Sequence, residues 1–121
     1  MVRQDPIGSS VVDLTELTRE FFSDEVSLDR ERAAELMHPH YVAHLPEGLI
    51  RTKGSVLARP AVLEGPVQLD IQGADHLGDD LVLLRFKMKR NSQDFLGAIL
   101  WQLLDTWQAR FLQLTAVLPR S

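Results

Sequence analysis

The chain has no cysteine, which removes disulfide staples, thiolate nucleophiles and cysteine-held metals from the possible chemistry. It also lacks a basic stripe. Its 13 Lys and Arg against 17 Asp and Glu leave a formal net charge of −4, whereas a nucleic-acid binder lays a row of cations along the phosphates. The one basic run, Arg85, Lys87, Lys89 and Arg90, is short and reads as the solvated end of a strand, where charge blunts edge-to-edge aggregation. No window approaches the roughly 20 apolar residues of a membrane span, and residues 1–10 lack the apolar centre of a signal peptide. With no leader and no cysteine, a cytoplasmic location is the expectation. Glycine-rich phosphate loops, nucleophile elbows and a serine beside a base are all missing, so nucleotide binding and acyl transfer have no support.

What is present is a chain of 121 residues, the size of one domain, with an ordinary globular balance of 45% hydrophobic and 25% charged residues. Residues 1–10 read as a flexible tail, 11–118 as a single domain and 119–121 as a C-terminal tail. Ser10, three residues before Asp13, resembles a capping box, and Val11, Leu14, Leu17 and Phe21 follow at helical spacing up to about Ser23. Asp29 is placed to cap a second helix through Met37, ended by Pro39. Residues 41–45 and 49–52 have strand character around the turn Pro46-Glu47-Gly48, and 54–63 reads as a short helix interrupted by Pro60.

After Gly65-Pro66 the pattern changes to period two. Val67, Leu69 and Ile71 alternate with Gln68, Asp70 and Gln72, and the strand-like segments 81–88, 95–104 and 107–118 follow. Helices first and an antiparallel meander afterwards is the α+β pattern. Pairing the last hairpin across Asp105-Thr106, with Leu104 opposite Trp107, sets two faces. One carries Leu96, Ala98, Leu100 and Gln102 beside Trp107, Ala109, Phe111, Gln113 and Thr115; the other carries Phe95, Ile99, Trp101 and Leu103 beside Gln108, Arg110, Leu112 and Leu114. Both are largely apolar. The first is expected to face the helices, and the second, through Ile99, Trp101, Leu103, Arg110, Leu112 and Leu114, to be covered by a second copy in a homodimer. Trp101 opposite Arg110 would then form a cross-strand cation–π pair.

Several segments, taken in order, resemble a known family: Leu36-Met37-His38-Pro39-His40-Tyr41-Val42, Glu47-Gly48, residues 78–83, Leu100-Trp101, and Trp107 with Phe111, Gln113 and Thr115. Over residues 11–118 the chain resembles the nuclear transport factor 2-like superfamily, in the branch of small bacterial domains related to ketosteroid isomerase and SnoaL-like polyketide cyclases. The resemblance implies a cone: a strongly curved, mostly antiparallel sheet wrapped around N-terminal helices (cystatin-like), open at one end as a pocket and commonly dimeric through the sheet's outer face.

Within such a pocket the candidate side chains divide by chemistry. His44 and Asp75 are candidate bases, and Tyr41 is a candidate acid or oxyanion donor. Arg85 interrupts an apolar strand; it anchors an anionic ligand if Lys87 opposes Ala98, and it points outward if the register slips by one residue. Gln102, Gln113 and Trp107 supply amides and an aromatic wall for an apolar ligand. His38, His40 and His44 lack an evident further ligand nearby, so neither a metal nor a cofactor is expected. The preferred expectation is a dimeric small-molecule-binding domain. The alternatives are an isomerase, cyclase or dehydratase acting by proton transfer, and a protein-assembly module.

Overall fold

The computed structural model describes residues 6–23, 29–58 and 67–118, with 6–13 as backbone only. The end tails at 1–5 and 119–121 and the later part of the 54–63 helix lie outside the described residues, and Ser10, expected to cap the first helix, lies within that helix rather than at its start. Helix α1 runs Pro6–Phe21, so residues 6–10, expected as tail, form its first turns; proline is favoured there because its missing N–H is unneeded. In α2 (Arg30–Leu36) the expected cap is in place, with Asp29 Oδ1 accepting from the Arg32 backbone N–H at 3.1 Å. Then come β1 (Met37–His44), a 3-10 turn (Pro46–Gly48), β2 (Ile50–Thr52), α3 (Lys53–Ala58), β3 (Gln68–Gly78), β4 (Leu81–Arg90), β5 (Gln93–Leu103) and β6 (Trp107–Ala116).

The six strands form one sheet in the order β2-β1-β6-β5-β4-β3, antiparallel at every pairing except β1–β6, which is parallel. The N-terminal helices pack against this curved sheet, which is the α+β, nuclear transport factor 2-like and cystatin-like architecture. No described helix is long and apolar enough to cross a membrane.

Between helix and sheet lies the core: Leu14 from α1 and Phe22 just past its end, Leu36 and Met37, Val82, Leu84, Phe86 and Met88 from β4, Ile99 and Trp101 from β5, and Leu112 from β6. Each such side chain contributes roughly 1.5–3 kcal/mol by leaving water. One buried polar link orients the helix: Thr18 Oγ1 donates to the Leu14 carbonyl at 2.7 Å and accepts from Trp101 Nε1 at 3.0 Å. The buried indole N–H of Trp101 thereby gains an acceptor in a hydroxyl whose own proton is already held by the helix. Gly97 lets β5 pass under the Phe86 ring. A Cβ there would overlap Phe86 Cζ and lie 2.8 Å from Leu114 Cδ2.

This packing inverts the expected faces. The hairpin body pairs as read from the sequence, with Ile99 opposite Leu112 and Leu100 opposite Phe111, but Trp101 faces Ala109 and Leu103 faces Trp107, because Arg110 is an extra residue in a β-bulge. Ile99, Trp101 and Leu112 are buried against α1, Leu114 packs on the same core, and Leu103 also lies on that side. They do not form an outer face. Arg110 donates to the His40 carbonyl, not to the Trp101 ring, so the cation–π pair is absent. The side turned away from the helices carries Leu83, Arg85, Leu96, Ala98, Phe111 and Gln113. Lys87 faces Leu96 and Arg85 faces Ala98, because the β4–β5 turn is only Asn91-Ser92, both at positive φ.

Candidate functional site

The open end between α1, α2 and the tip of the β5–β6 hairpin holds a cavity of about 610 Å³. Amphipathic helix spacing brings Leu17 to its floor, the end of α2 adds Leu36, and the hairpin adds Leu103 and Trp107. The polar wall is equally local in origin. Glu20, near the end of α1, and Arg32, in the first turns of α2, meet between the two helices: Arg32 Nε donates to Glu20 Oε2 and Nη2 to Oε1 at 2.8 Å. The fork of Arg32 holds the Glu20 carboxyl below its ordinary range, and Glu20 in turn raises the guanidinium. Glu35 lies 3.6 Å from Arg32 Nη1, and Gln108 Nε2 donates to the Glu35 carbonyl at 3.2 Å, closing helix onto strand.

Glu16 and Asp105 complete the rim, so the lining carries the carboxylates Glu16, Glu20, Glu35 and Asp105 against the single guanidinium of Arg32. That balance repels an anionic ligand and tolerates a neutral or cationic one. Among the described residues no group of three His, Asp or Glu is arranged to hold a metal ion.

Of the residues singled out by sequence, only Trp107 lines this cavity. Tyr41 is buried in the core with its ring 5.8 Å from Phe21, and burial pushes its hydroxyl pKa up despite the opposing charge of Arg51. His44 is exposed, edge-on to Phe111 at 5.2 Å and opposite Gln113 in the β1–β6 pairing. Asp75 is half-exposed on the edge strand β3, where its Oδ2 accepts from Arg85 Nε at 3.1 Å. Arg85 lies across Gly73, whose absent side chain gives the guanidinium room: a Cβ there would be 2.6 Å from Nη2. Arg85 and Gln113 share a second hollow of about 510 Å³ on the face away from the helices. Gln102 faces Gln108 and lines neither hollow.

The structure thus separates the proposed acid and bases: Tyr41 in the core, His44 and Asp75 on the opposite side of the sheet. Sequence reading passed over Leu17, Glu20, Arg32, Leu36 and Gln108. The signal for Leu17 and Leu36 was the inward stripe of two helices that must converge on one sheet end.

No family model matches the chain, and no curated protein matches it. Solved structures do. An NTF-2-like protein of unknown function from Silicibacter pomeroyi superposes with a TM-score of 0.73 at 15% identity, over 92% of this chain and 98% of that one. An NTF2-like protein from Cytophaga hutchinsonii gives 0.63 at 17% identity, over 97% and 100%. A ketosteroid isomerase-like protein from Erwinia carotovora atroseptica gives 0.62 at 11% identity, over 82% and 89%. At these identities the likeness establishes the fold alone: this chain has the NTF2-like architecture of a curved sheet closed over N-terminal helices.

Proposed function

We propose that the protein is a small-molecule-binding domain whose ligand enters the cavity between α1, α2 and the β5–β6 tip, and that two copies pair through the sheet face turned away from the helices. One observation carries the binding reading: a volume of about 610 Å³ stays open where Leu17, Leu36, Leu103 and Trp107 form an apolar floor under a hydrogen-bonded polar wall. That is the composition of a ligand pocket. A proton-transfer reading has less support, since His44 and Asp75 lie on the far side of the sheet and the Tyr41 hydroxyl holds its proton in the core.

The pairing proposal rests on the far face. Leu83 neighbours Leu100, Leu100 neighbours Phe111, and Ala98 lies between Arg85 and Gln113, giving an apolar centre with a polar border. The adjacent opposite charges of Asp75 and Arg85 suit a two-fold contact, in which each group meets its complement on the partner.

The test is titration with Nile red, a neutral apolar dye. Saturable one-to-one binding, lost in Leu17→Trp and kept in Phe111→Asp, supports the cavity. Binding lost in Phe111→Asp alone, or no saturable binding at all, contradicts it. Sedimentation of the same Phe111→Asp protein as a monomer, beside a dimeric parent, tests the pairing.

A further inference from the structure

Strand β1 is irregular where it meets β6. Met37 faces Ala109 and Val42 faces Phe111, so β1 advances five residues while β6 advances two. His38, Pro39, His40 and Tyr41 stand against Arg110 alone, in a bulge inside the sheet between β2 and β6. Pro39 has no N–H to give a ladder, which is one physical reason the pairing opens here.

The bulge is closed by its own side chains. The His40 backbone N–H donates to His38 Nδ1 at 2.9 Å, and Arg110 Nη1 donates to the His40 carbonyl at 2.6 Å. Because Nδ1 of His38 is used as an acceptor, the neutral ring carries its proton on Nε2 as an outward donor. The two imidazoles lie 5.5 Å apart and 35° from parallel. Lys53, the first residue of α3, follows Thr52, which pairs with Val42 at the end of the bulge. His38 is held below the usual imidazole range, first by desolvation and then by Arg110, His40 and Lys53. Two cations, Arg110 and Lys53, therefore act on the ring from neighbouring elements.

We propose that the β1 bulge is an oxyanion site, in which His38 Nε2–H, the His40 imidazole, the Arg110 guanidinium and the Lys53 ammonium receive a sulfate- or phosphate-type group. Arg110 is pre-oriented: a backbone carbonyl holds one nitrogen, and the planar fork presents its remaining N–H groups in fixed directions. A bulge is also the device by which a sheet re-aims side chains towards a ligand. The site is independent of the acid-lined cavity and stands or falls separately.

The experiment is an NMR titration of the histidine ring signals of the full chain with sodium sulfate, at ionic strength held constant with sodium chloride. Saturable shifts confined to His38 and His40, with His44 and His76 as internal controls, are the expected result. Lys53→Gln and Arg110→Gln each weaken binding roughly five- to tenfold. Arg110→Gln also removes a bond that shapes the bulge, whereas Lys53→Gln removes only the ammonium, so the second variant separates recognition from folding. Phenyl phosphate binding more tightly than inorganic phosphate assigns the site to a phosphorylated small molecule; equal binding assigns it to the free anion. Shifts that grow linearly, that chloride reproduces, that His44 and His76 share, or that survive Lys53→Gln unchanged overturn the proposal.

Discussion

The two faces of the sheet draw on similar side chains and differ in what lies against them. Towards the helices, Trp101, Ile99 and Leu84 are completely buried, and the indole N–H of Trp101 has a dedicated acceptor in Thr18. On the far side, Leu96 remains 49% exposed, beside Arg85, Gln113 and Thr115. Apolar content alone does not identify the core face. In β4 the decisive pattern is charge: Phe86 and Met88 alternate with Arg85, Lys87 and Lys89, and the pairing register carries that polarity onto β5 and β6.

The largest effect that distinguishes the faces is expected from truncating one aromatic on each. Trp101→Ala should cost about 3–5 kcal/mol by urea denaturation, as for other large-to-small changes in a closed core. Phe111→Ala should cost under about 1.5 kcal/mol in dilute protein, and more at concentrations where two copies pair. Equal, concentration-independent losses would break the comparison. Two glycines offer a second contrast. Gly97→Ala drives a methyl into the buried Phe86 ring and should cost about 1–3 kcal/mol, whereas Gly73→Ala meets only the mobile end of Arg85 and should change stability by less than about 0.5 kcal/mol. Thr18→Val keeps the shape of the helix–sheet contact but orphans the Trp101 N–H, a loss of about 1–3 kcal/mol.

The smallest effect concerns pH. Glu20 has a depressed pKa in the folded chain, so its ion pair stabilises fully above the ordinary carboxylate pKa and is lost as pH falls through the folded value. Both partners are more than a third exposed, so solvent screens the pair and the contribution is below about 1 kcal/mol. Hydrogen-exchange protection in α2, taken relative to the intrinsic rate at each pH, should fall in acid before that of the strands. No such order in Glu20→Gln would confirm the origin.

Local features were legible in the sequence. The Asp29 cap, the alternation of β3 and the pairing of 95–100 with 111–116 all follow from short-range rules. What escaped it is non-local. The parallel pairing of β1 with β6 joins segments some 70 residues apart in the chain, as Arg110 bonding His40 shows. The bulge at Arg110 depends on a side chain finding a carbonyl on another strand. The cavity arises where α1 and α2 converge, and Glu20 and Arg32 carry no sign of each other at a separation of 12 residues. Trp107 lines that cavity as the large aromatic beside the hairpin tip.

The account turns on which tryptophan belongs to the interior, and exchange of the two indole N–H protons with deuterium in the unaltered protein measures this directly. Trp101 is predicted to exchange only through global unfolding, with Trp107 orders of magnitude faster at the open cavity. Fast exchange at Trp101, or equal protection of both, would contradict the placement of the core.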